Sequence, residues 1–350
     1  MNTWTSNTPY DIRDEAMCDL LKAFKTCFSV GEKFKMKYKR KKDNTDSIVI
    51  HLKHFNASRK REKKEQLSKS KAKQKEKKET FYDFIPIIKS SEKLPDSLEY
   101  DSRIIKDSLN QYWMCIPVRL DKKSFNHQEM KLKSEKMASI DPGVRTFSTI
   151  YGSDGICLEV AKGDVSRIYR LGCEVDKLQS KWSQKDVNHK KRYKLKKAAK
   201  RIRKKIKNLE KEVHDKLIKY LCINYSLILL PIFESQKMIR RKARKIRSKT
   251  ARNLITWSHY SFRQRLMNKL REYPEVSLKV VTEEYTSKTC GQCGKINQKL
   301  YGNKTFICPS CSYKADRDLN AVRNIIIKSL NMSQGFYDLG VETQLLSTQF

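Results

Sequence analysis

Four cysteines are spaced to hold a metal. Cys290-Gly-Gln-Cys293 and Cys308-Pro-Ser-Cys311 are two Cys-x-x-Cys pairs, separated by fourteen residues that include Gly294, Tyr301 and Gly302. Thiolates presented in two such pairs match a tetrahedral structural zinc site. With sulfur in all four positions the ion keeps no place for water, so it should fold the chain rather than catalyse. A redox pair would account for one Cys-x-x-Cys and leave the other unexplained. The remaining six cysteines, at 18, 27, 115, 157, 173 and 222, stand singly and read as small buried apolar residues. The six histidines form no His-x-x-x-His or comparable pair, which argues against a histidine nuclease or a second zinc site.

Two aspartates stand where a carboxylate could work on a ligand. Asp141, in Ser-Ile-Asp-Pro-Gly-Val-Arg, follows an apolar strand and precedes Gly143, where a backbone could approach closely. Asp318, in Ala-Asp-Arg-Asp-Leu-Asn-Ala-Val-Arg-Asn-Ile, begins a helix just after the cysteine pairs. Taken alone, each has an ordinary explanation: Asp141 as a turn residue, Asp318 as a helix cap or first-turn charge.

These acids belong to a strongly basic chain of 350 residues, with 76 Lys plus Arg against 39 Asp plus Glu and a net charge of +37. Such an excess calls for an acidic partner. It is concentrated in Arg59 to Lys78 (net +8), Lys181 to Lys211 (net +13) and Lys237 to Lys249 (net +8). The first run has almost no apolar residues and reads equally as a solvated segment. In the second, Ile202, Ile206, Leu209, Val213 and Leu217 recur at steps of three and four, so one helix face can pack while the others present Lys and Arg. A stripe of this kind neutralises successive phosphates and releases counterions, which favours nucleic acid. A membrane surface would need a broader apolar face with Trp or Phe. The most apolar stretch, Leu227 to Phe233, is far short of the ~20 residues needed to span a bilayer. The start Met1-Asn-Thr-Trp-Thr lacks the features of a secretory signal, so a reducing compartment is expected.

The length suggests about two domains. Residues 9 to 29 predict an amphipathic helix. Strands follow at Phe34 to Tyr38, Ser47 to Lys53, Phe81 to Ile88, Arg103 to Asp107 and Gln111 to Val118, giving a small β-rich module over 1–136 with a basic linker at 59–80. From Met137 the order becomes three antiparallel strands (Ala138 to Asp141, Arg145 to Tyr151, Ile156 to Val160), a helical region over about 165–222 and the strand Leu227 to Phe233. A helix over about Asn253 to Glu272 and the strand Ser277 to Glu283 complete it. That is the order of an RNase H-like fold in a mixed α/β architecture.

The stretches Asp141-Pro-Gly-Val-Arg, Tyr285-Thr-Ser-Lys-Thr-Cys-Gly-Gln-Cys-Gly294 and Ala315-Asp-Arg-Asp-Leu-Asn-Ala-Val-Arg-Asn324 together resemble the TnpB proteins of insertion sequences and their eukaryotic and viral Fanzor relatives, RNA-guided DNA endonucleases often described as transposases. The resemblance covers roughly residue 9 onward and is nearest to the Fanzor-like branch. It implies a wedge-like β module over 1–136 and a RuvC-like nuclease core over 137–285. A zinc ribbon over 286–314, a last RuvC helix over 315–331 and a tail over 332–350 would follow.

It also implies a carboxylate triad holding two Mg²⁺ ions for phosphodiester hydrolysis. By motif, Asp141 matches the first ligand and Asp318 the last, with Asp316 the weaker match. The bacterial proteins carry the middle Glu directly after the apolar strand, where this chain has Pro231; Fanzor-like relatives carry it ahead of the Tyr-Thr-Ser-Lys-Thr-Cys motif, where this chain has Glu283-Glu284. Strand alternation puts those two on opposite faces, and Glu283 shares a face with Val281. Glu284 and Glu234 remain alternatives.

The implied partners are a guide RNA and double-stranded target DNA, with no membrane and a monomeric protein in the ribonucleoprotein. The implied location is intracellular: the nucleus in a eukaryotic host, otherwise the cytoplasm or a viral factory. The chain starts close to the family's last recognition helix, so the recognition module is either minimal or truncated. Pro231 and that start leave two other functions open, a nucleic-acid-binding relative that no longer cuts and a DNA-joining transposase.

Overall fold

Contacts in the computed structural model divide the chain into two units, Met1–Leu120 and Asp121–Phe350. The structure describes residues 8, 10–30, 45–52, 91–95, 97–122, 136–240, 245–300 and 303–339. The expected strands at 34–38 and 81–88 and the basic run 59–78 lie outside the described residues, as do 123–135 ahead of the expected boundary at 136/137.

The first unit has one long helix, α1 (Tyr10–Val30), and an antiparallel sheet of β1 (Asp46–Ile50), β2 (Ser102–Lys106) and β3 (Tyr112–Cys115) in the order β1-β2-β3. Ile48 lies opposite Ile104, which lies opposite Met114. The β2–β3 turn forms because Asp107 Oδ1 accepts from the backbone N–H groups of Leu109 and Gln111 at 2.8 and 2.9 Å. Asn110 takes the left-handed conformation (φ 63°) that its short polar side chain tolerates.

The second unit is built on a five-stranded sheet of β4 (Met137–Pro142), β5 (Ser148–Gly152), β6 (Cys157–Val160), β7 (Leu227–Pro231) and β8 (Ser277–Val281). Its order is β6-β5-β4-β7-β8: the first three form an antiparallel meander, and β7 and β8 run parallel to β4. Parallel neighbours need a helical crossover. The crossover from β6 to β7 is α2 (Asp164–Ser183) and α3 (His189–Asn224); that from β7 to β8 is α4 (Ser235–Ile239), α5 (Ser248–Trp257) and α6 (His259–Leu270). A last helix, α7 (Arg317–Leu339), follows the cysteine-rich segment.

Alternation along β4 sorts its residues between two cores. Ala138 and Ile140 join Phe147, Ile150, Ile228 and Leu230 against Leu217 and Leu221 of α3, Trp257 of α5 and Phe262 and Leu266 of α6. On the other face, Leu229 packs with Ile325 and Ile326 of α7, and Ser139 Oγ donates to the Val322 carbonyl at 2.7 Å. Asp141 shares the parity of Ser139, so it belongs to the α7 face.

The helical region expected as one piece is a hairpin. It breaks after Ser183, and Asn188 restarts it by accepting from Lys191 N–H at 2.8 Å. Along α3, Ile206, Leu209 and Val213 pack on the core while Lys194, Lys196, Arg201, Arg203, Lys205 and Lys207 face solvent. The single helix expected over 253–272 is two, because Ser258 adopts φ 46° between α5 and α6. Of the six single cysteines only Cys222 is buried; Cys115 and Cys157 are exposed, on β3 and on the edge strand β6, and the other three are half-buried. Small size alone did not bury them. Among the described residues no helix is long and apolar enough to cross a membrane.

Candidate active site

Asp141 lies at the C-terminal end of β4, opposite Thr149. The loop that follows is held tightly. Gly143 N–H donates to the Phe147 carbonyl at 2.9 Å, and a Cβ on Gly143 would stand 2.6 Å from the Thr146 carbonyl oxygen, so only glycine fits. Two buried side chains from the α5–α6 corner pin the same loop: Trp257 Nε1 donates to the Val144 carbonyl at 3.0 Å, and His259 Nε2 donates to the Gly143 carbonyl at 2.9 Å. The left-handed Ser258 between them directs both residues inward, a function that a continuous helix would not provide.

The structure brings Asp141, Glu283 and Asp318 into one electrostatic group. The Asp141 carboxyl is pushed up to about 7, first by burial, then by the charges of Glu283 and Asp318; Arg317 acts in the opposite sense. Burial also raises Glu283. A buried carboxyl whose ionisation is opposed by two neighbouring carboxylates marks a place short of positive charge, and an all-oxygen donor set suits a hard divalent cation. Glu234 is not among the charges acting on Asp141; it pairs with Lys237 at 2.5 Å on the rim of α4.

The strand alternation expected to separate Glu283 from Glu284 does not operate, because β8 ends at Val281. The chain instead turns, with Tyr285 at φ 64° and the Thr286 hydroxyl donating to the Glu283 carbonyl at 2.8 Å. Glu283 is left half-buried and Glu284 exposed, its carbonyl accepting from Lys328 Nζ at 3.1 Å. A similar division separates the aspartates before α7. Asp316 Oδ1 accepts from the N–H groups of Asp318 and Leu319 at 2.9 and 3.2 Å, making it the helix cap. Asp318 sits in the first helical turn with its carboxylate exposed.

The Sγ atoms of Cys290, Cys293, Cys308 and Cys311 all lie within 4.8 Å of one another, with Cys290–Cys311 at 3.6 Å and Cys293–Cys308 at 3.5 Å. Sulfurs bound at ~2.3 Å to a tetrahedral ion sit about 3.8 Å apart, so the donor set fits a thiophilic cation such as zinc. Backbone N–H groups of Cys311 and Ser310 pull the Cys308 thiol down to about 6. The ribbon strands β9 (Thr305–Ile307) and β10 (Lys314–Asp316) pair antiparallel, so the expected ribbon end at 314 moves to Asp316, where strand and helix cap coincide. Helix α7 runs to Leu339, past the expected 331.

Sequence reasoning missed what ties ribbon to helix. Asn320 Nδ2 donates to the Thr289 carbonyl (2.7 Å) while its Oδ1 accepts from Gly291 N–H (2.9 Å); Asn324 Nδ2 donates to the carbonyls of Thr286 (2.9 Å) and Thr289 (2.7 Å). Both amides are buried on one face of α7. The i,i+4 spacing of two asparagines in an otherwise apolar helix face was the available signal.

Residues 115–230 match a family model described as "Probable transposase", and residues 259–325 match the Cas12f1-like TNB domain. "Putative transposase A625R" of Paramecium bursaria Chlorella virus 1 is 30% identical over 348 residues, spanning 95% of this chain and 72% of that protein. The chain belongs to the TnpB/OrfB transposase family. Another relative, the TnpB-like protein L770 of Acanthamoeba polyphaga mimivirus, is 30% identical over 251 residues, and the match covers 69% of this chain and 45% of that one. The CRISPR-associated endodeoxyribonuclease Cas12f1 of Sulfoacidibacillus thermotolerans is 35% identical over 89 residues, 25% of this chain and 20% of its own length. Among solved structures, the cryo-EM structure of a Cas12f1-sgRNA-target DNA complex is similar at TM-score 0.42 and 20% identity, over 65% of this chain and 45% of that one.

In this TnpB-family chain the loop latch carries two titratable groups. His214 and His259 are both lowered to about 4, first by burial; His214 Nε2 donates to the Trp257 carbonyl at 3.0 Å. Unfolded histidines titrate near 6.5, so between pH 6.5 and 4 the unfolded chain binds more protons and stability falls as pH falls. Each contributes about 3 kcal/mol at full effect. Asp141 acts in the opposite direction over an overlapping range, since its raised value makes the folded chain the better proton binder there. Thermal melts from pH 7 to 4.5 are therefore expected to fall in the wild type and more steeply in Asp141→Asn; equal slopes would contradict these assignments.

Proposed function

We propose that the chain is the catalytic part of an RNA-guided, Mg²⁺-dependent DNA endonuclease of TnpB/Fanzor type. The observation that carries this reading is the convergence of Asp141, Glu283 and Asp318 on one electrostatic group. The β6-β5-β4-β7-β8 order, with an antiparallel meander followed by two parallel strands, supports an RNase H-like core. The descriptions of the viral relatives and of the Cas12f1 endodeoxyribonuclease support the same class.

Asp141, Glu283 and Asp318 would hold the catalytic magnesium, which when bound supplies an activated water and charge stabilisation for phosphodiester hydrolysis. The protein's own part is positional. The Trp257 and His259 latch fixes the loop after Asp141, Thr286 holds the Glu283 backbone, and Asp316 starts the helix that carries Asp318. Arg317, with Nε 3.7 Å from Asp318 Oδ1, offsets part of the negative charge. Cys290, Cys293, Cys308 and Cys311 would hold a structural zinc ion.

Nucleic-acid binding is assigned to the basic faces. Lysines and arginines on the outer side of α3 would hold RNA or DNA phosphates, and base pairing with a guide would read most of the target. Sequencing RNA co-purified with the protein tests the guide directly: one discrete species is expected, and DNA matching it should be cut in Mg²⁺. Recovery of only random RNA fragments, with no programmed cleavage, would overturn the reading.

A further inference from the structure

We infer that a cleft beside β4 is a nucleobase pocket, which takes one unstacked base of the single-stranded DNA that passes the carboxylate site. The choice of DNA rests on the nuclease reading above; the pocket itself rests on its construction. It encloses about 290 Å³ between the ends of β4 and β7, helix α4 and the start of α6. That is at the small end of ligand pockets, which run to ~300–1,000 Å³, so it suits one planar group rather than a duplex.

The floor is apolar, formed by Ile140 and Phe262 from the core. Phe233 and Tyr260 supply aromatic surface. Tyr260 is 63% exposed, although an aromatic ring of that size ordinarily seeks cover, and the Arg263 guanidinium lies 5.6 Å from its centroid. An exposed ring backed by a cation is a stacking platform for a base with an adjoining phosphate.

The polar fittings point the same way. Ser148 lines the cleft at 1% exposure, and its Oγ has no hydrogen-bond partner among the described residues. A buried hydroxyl left unpaired costs stability, and the polar edge of a base would satisfy it. The Arg240 and Arg263 side chains complete the lining with positive charge suited to the backbone of the same nucleotide. Glu234, already paired with Lys237 at 2.5 Å, offers an acceptor for an exocyclic amine.

Position connects the cleft to the chemistry. Ile140 and Pro142 line it and flank Asp141 on the same strand, so alternation puts pocket and carboxylates on opposite faces of one strand end. Both open at the C-terminal ends of the parallel strands, where open α/β sheets bind ligands. A DNA strand crossing that edge would present a phosphate to Asp141 and an adjacent base to the pocket.

The test is photocrosslinking of single-stranded DNA carrying one 5-iodouracil, moved stepwise along the oligonucleotide, with the purified full chain in Ca²⁺ so that nothing is cut. The label is expected on peptides containing Tyr260 or Phe233, from one narrow window of positions. Tyr260→Ala should weaken DNA binding by about five- to a hundredfold, the range of base–aromatic stacking, and Tyr260→Phe should restore it. Ser148→Ala should weaken binding while raising the melting temperature of the DNA-free protein, which a merely structural serine would not do. Crosslinks confined to α3, no binding of DNA, labelling by RNA alone, or competition by thymidine monophosphate as effective as by the strand would each overturn the assignment. A chain that cuts in Mg²⁺ but never labels Tyr260 or Phe233 sinks the pocket alone. One that labels them but never cuts sinks the nuclease reading alone.

Discussion

Asp141→Asn is expected to abolish Mg²⁺-dependent DNA cleavage while making the metal-free protein more stable. A direct metal ligand should cost far more than the roughly 10–100-fold penalty for disturbing an outer-shell partner, so a loss of at least about 10³-fold is predicted. The gain in stability follows from linkage. The Asp141 carboxyl is raised to about 7 in the fold by burial and by Glu283 and Asp318. A raised acid means that the folded chain binds the proton more tightly than the unfolded chain, so its contribution is favourable at low pH and is lost as pH rises towards 7. The asparagine carries no charge to desolvate, and about 2–4 kcal/mol should be recovered at neutral pH. That corresponds to several degrees in a unit of this size.

Added Mg²⁺ should reverse the order, stabilising the wild type by mass action and leaving the variant unmoved. Calorimetric melts with and without Mg²⁺, beside a cleavage assay and a nucleic-acid binding assay, read all three effects. Undiminished cleavage would remove Asp141 from the site. A metal-free variant no more stable than the wild type would remove the carboxylate repulsion.

The second large effect is expected from stripping the zinc ion proposed for the ribbon. Zinc-finger peptides gain roughly 10–16 kcal/mol from their ion, and the described core beside β9 and β10 is small: Phe306, Cys290 and Cys308, with Leu300 and Tyr313 packed against them. Removal should unfold residues 289–316. The damage should then pass into α7 by two routes. Asp316 ends β10 and caps the helix that carries Asp318, and Arg317 N–H donates to the Lys304 carbonyl at 2.7 Å. Asn320 and Asn324 lose the Thr289 and Gly291 partners that hold the other edge.

Hydrogen exchange is therefore expected to accelerate from Thr286 into the first turns of α7, and Mg²⁺ affinity to fall, after treatment with a thiophilic chelator. Asn324→Ala should reproduce part of the loss with the metal still bound. If zinc leaves and Mg²⁺ binding is unchanged, ribbon and triad are mechanically independent and the prediction fails.

Much of the candidate site was legible because its residues come in short, ordered runs. The paired cysteines declare a tetrahedral site by spacing alone, and the alternation in Ala138-Ser-Ile-Asp141 already separates Asp141 from the apolar face. The strand order was not legible, since nothing in a run of apolar residues says which neighbour it joins. Three local predictions failed, each because packing or a turn outweighed the local pattern. Ser258 breaks a helix because Trp257 and His259 both find carbonyls in the loop after Asp141. Glu283 is set apart from Glu284 by a Thr286 turn rather than by strand parity. The exposed Cys115 and Cys157 sit on the outer strands β3 and β6, in which no residue is fully buried.

By itself the sequence determined the ingredients: a basic chain, a four-sulfur site, carboxylates next to Gly143 and after the ribbon, and the apolar periods of the helices. These depend on residue type and near-neighbour spacing. The tertiary structure decided which carboxylates act on Asp141, because Glu283 and Asp318 come from the end of β8 and from α7, elements that meet β4 only when the sheet is ordered and α7 docks on it. It also decided that Asp316 caps α7 and that the Asp318 carboxylate stays exposed. Coulomb interaction falls with distance, and the distance across a fold is set by packing, which no count along the chain contains.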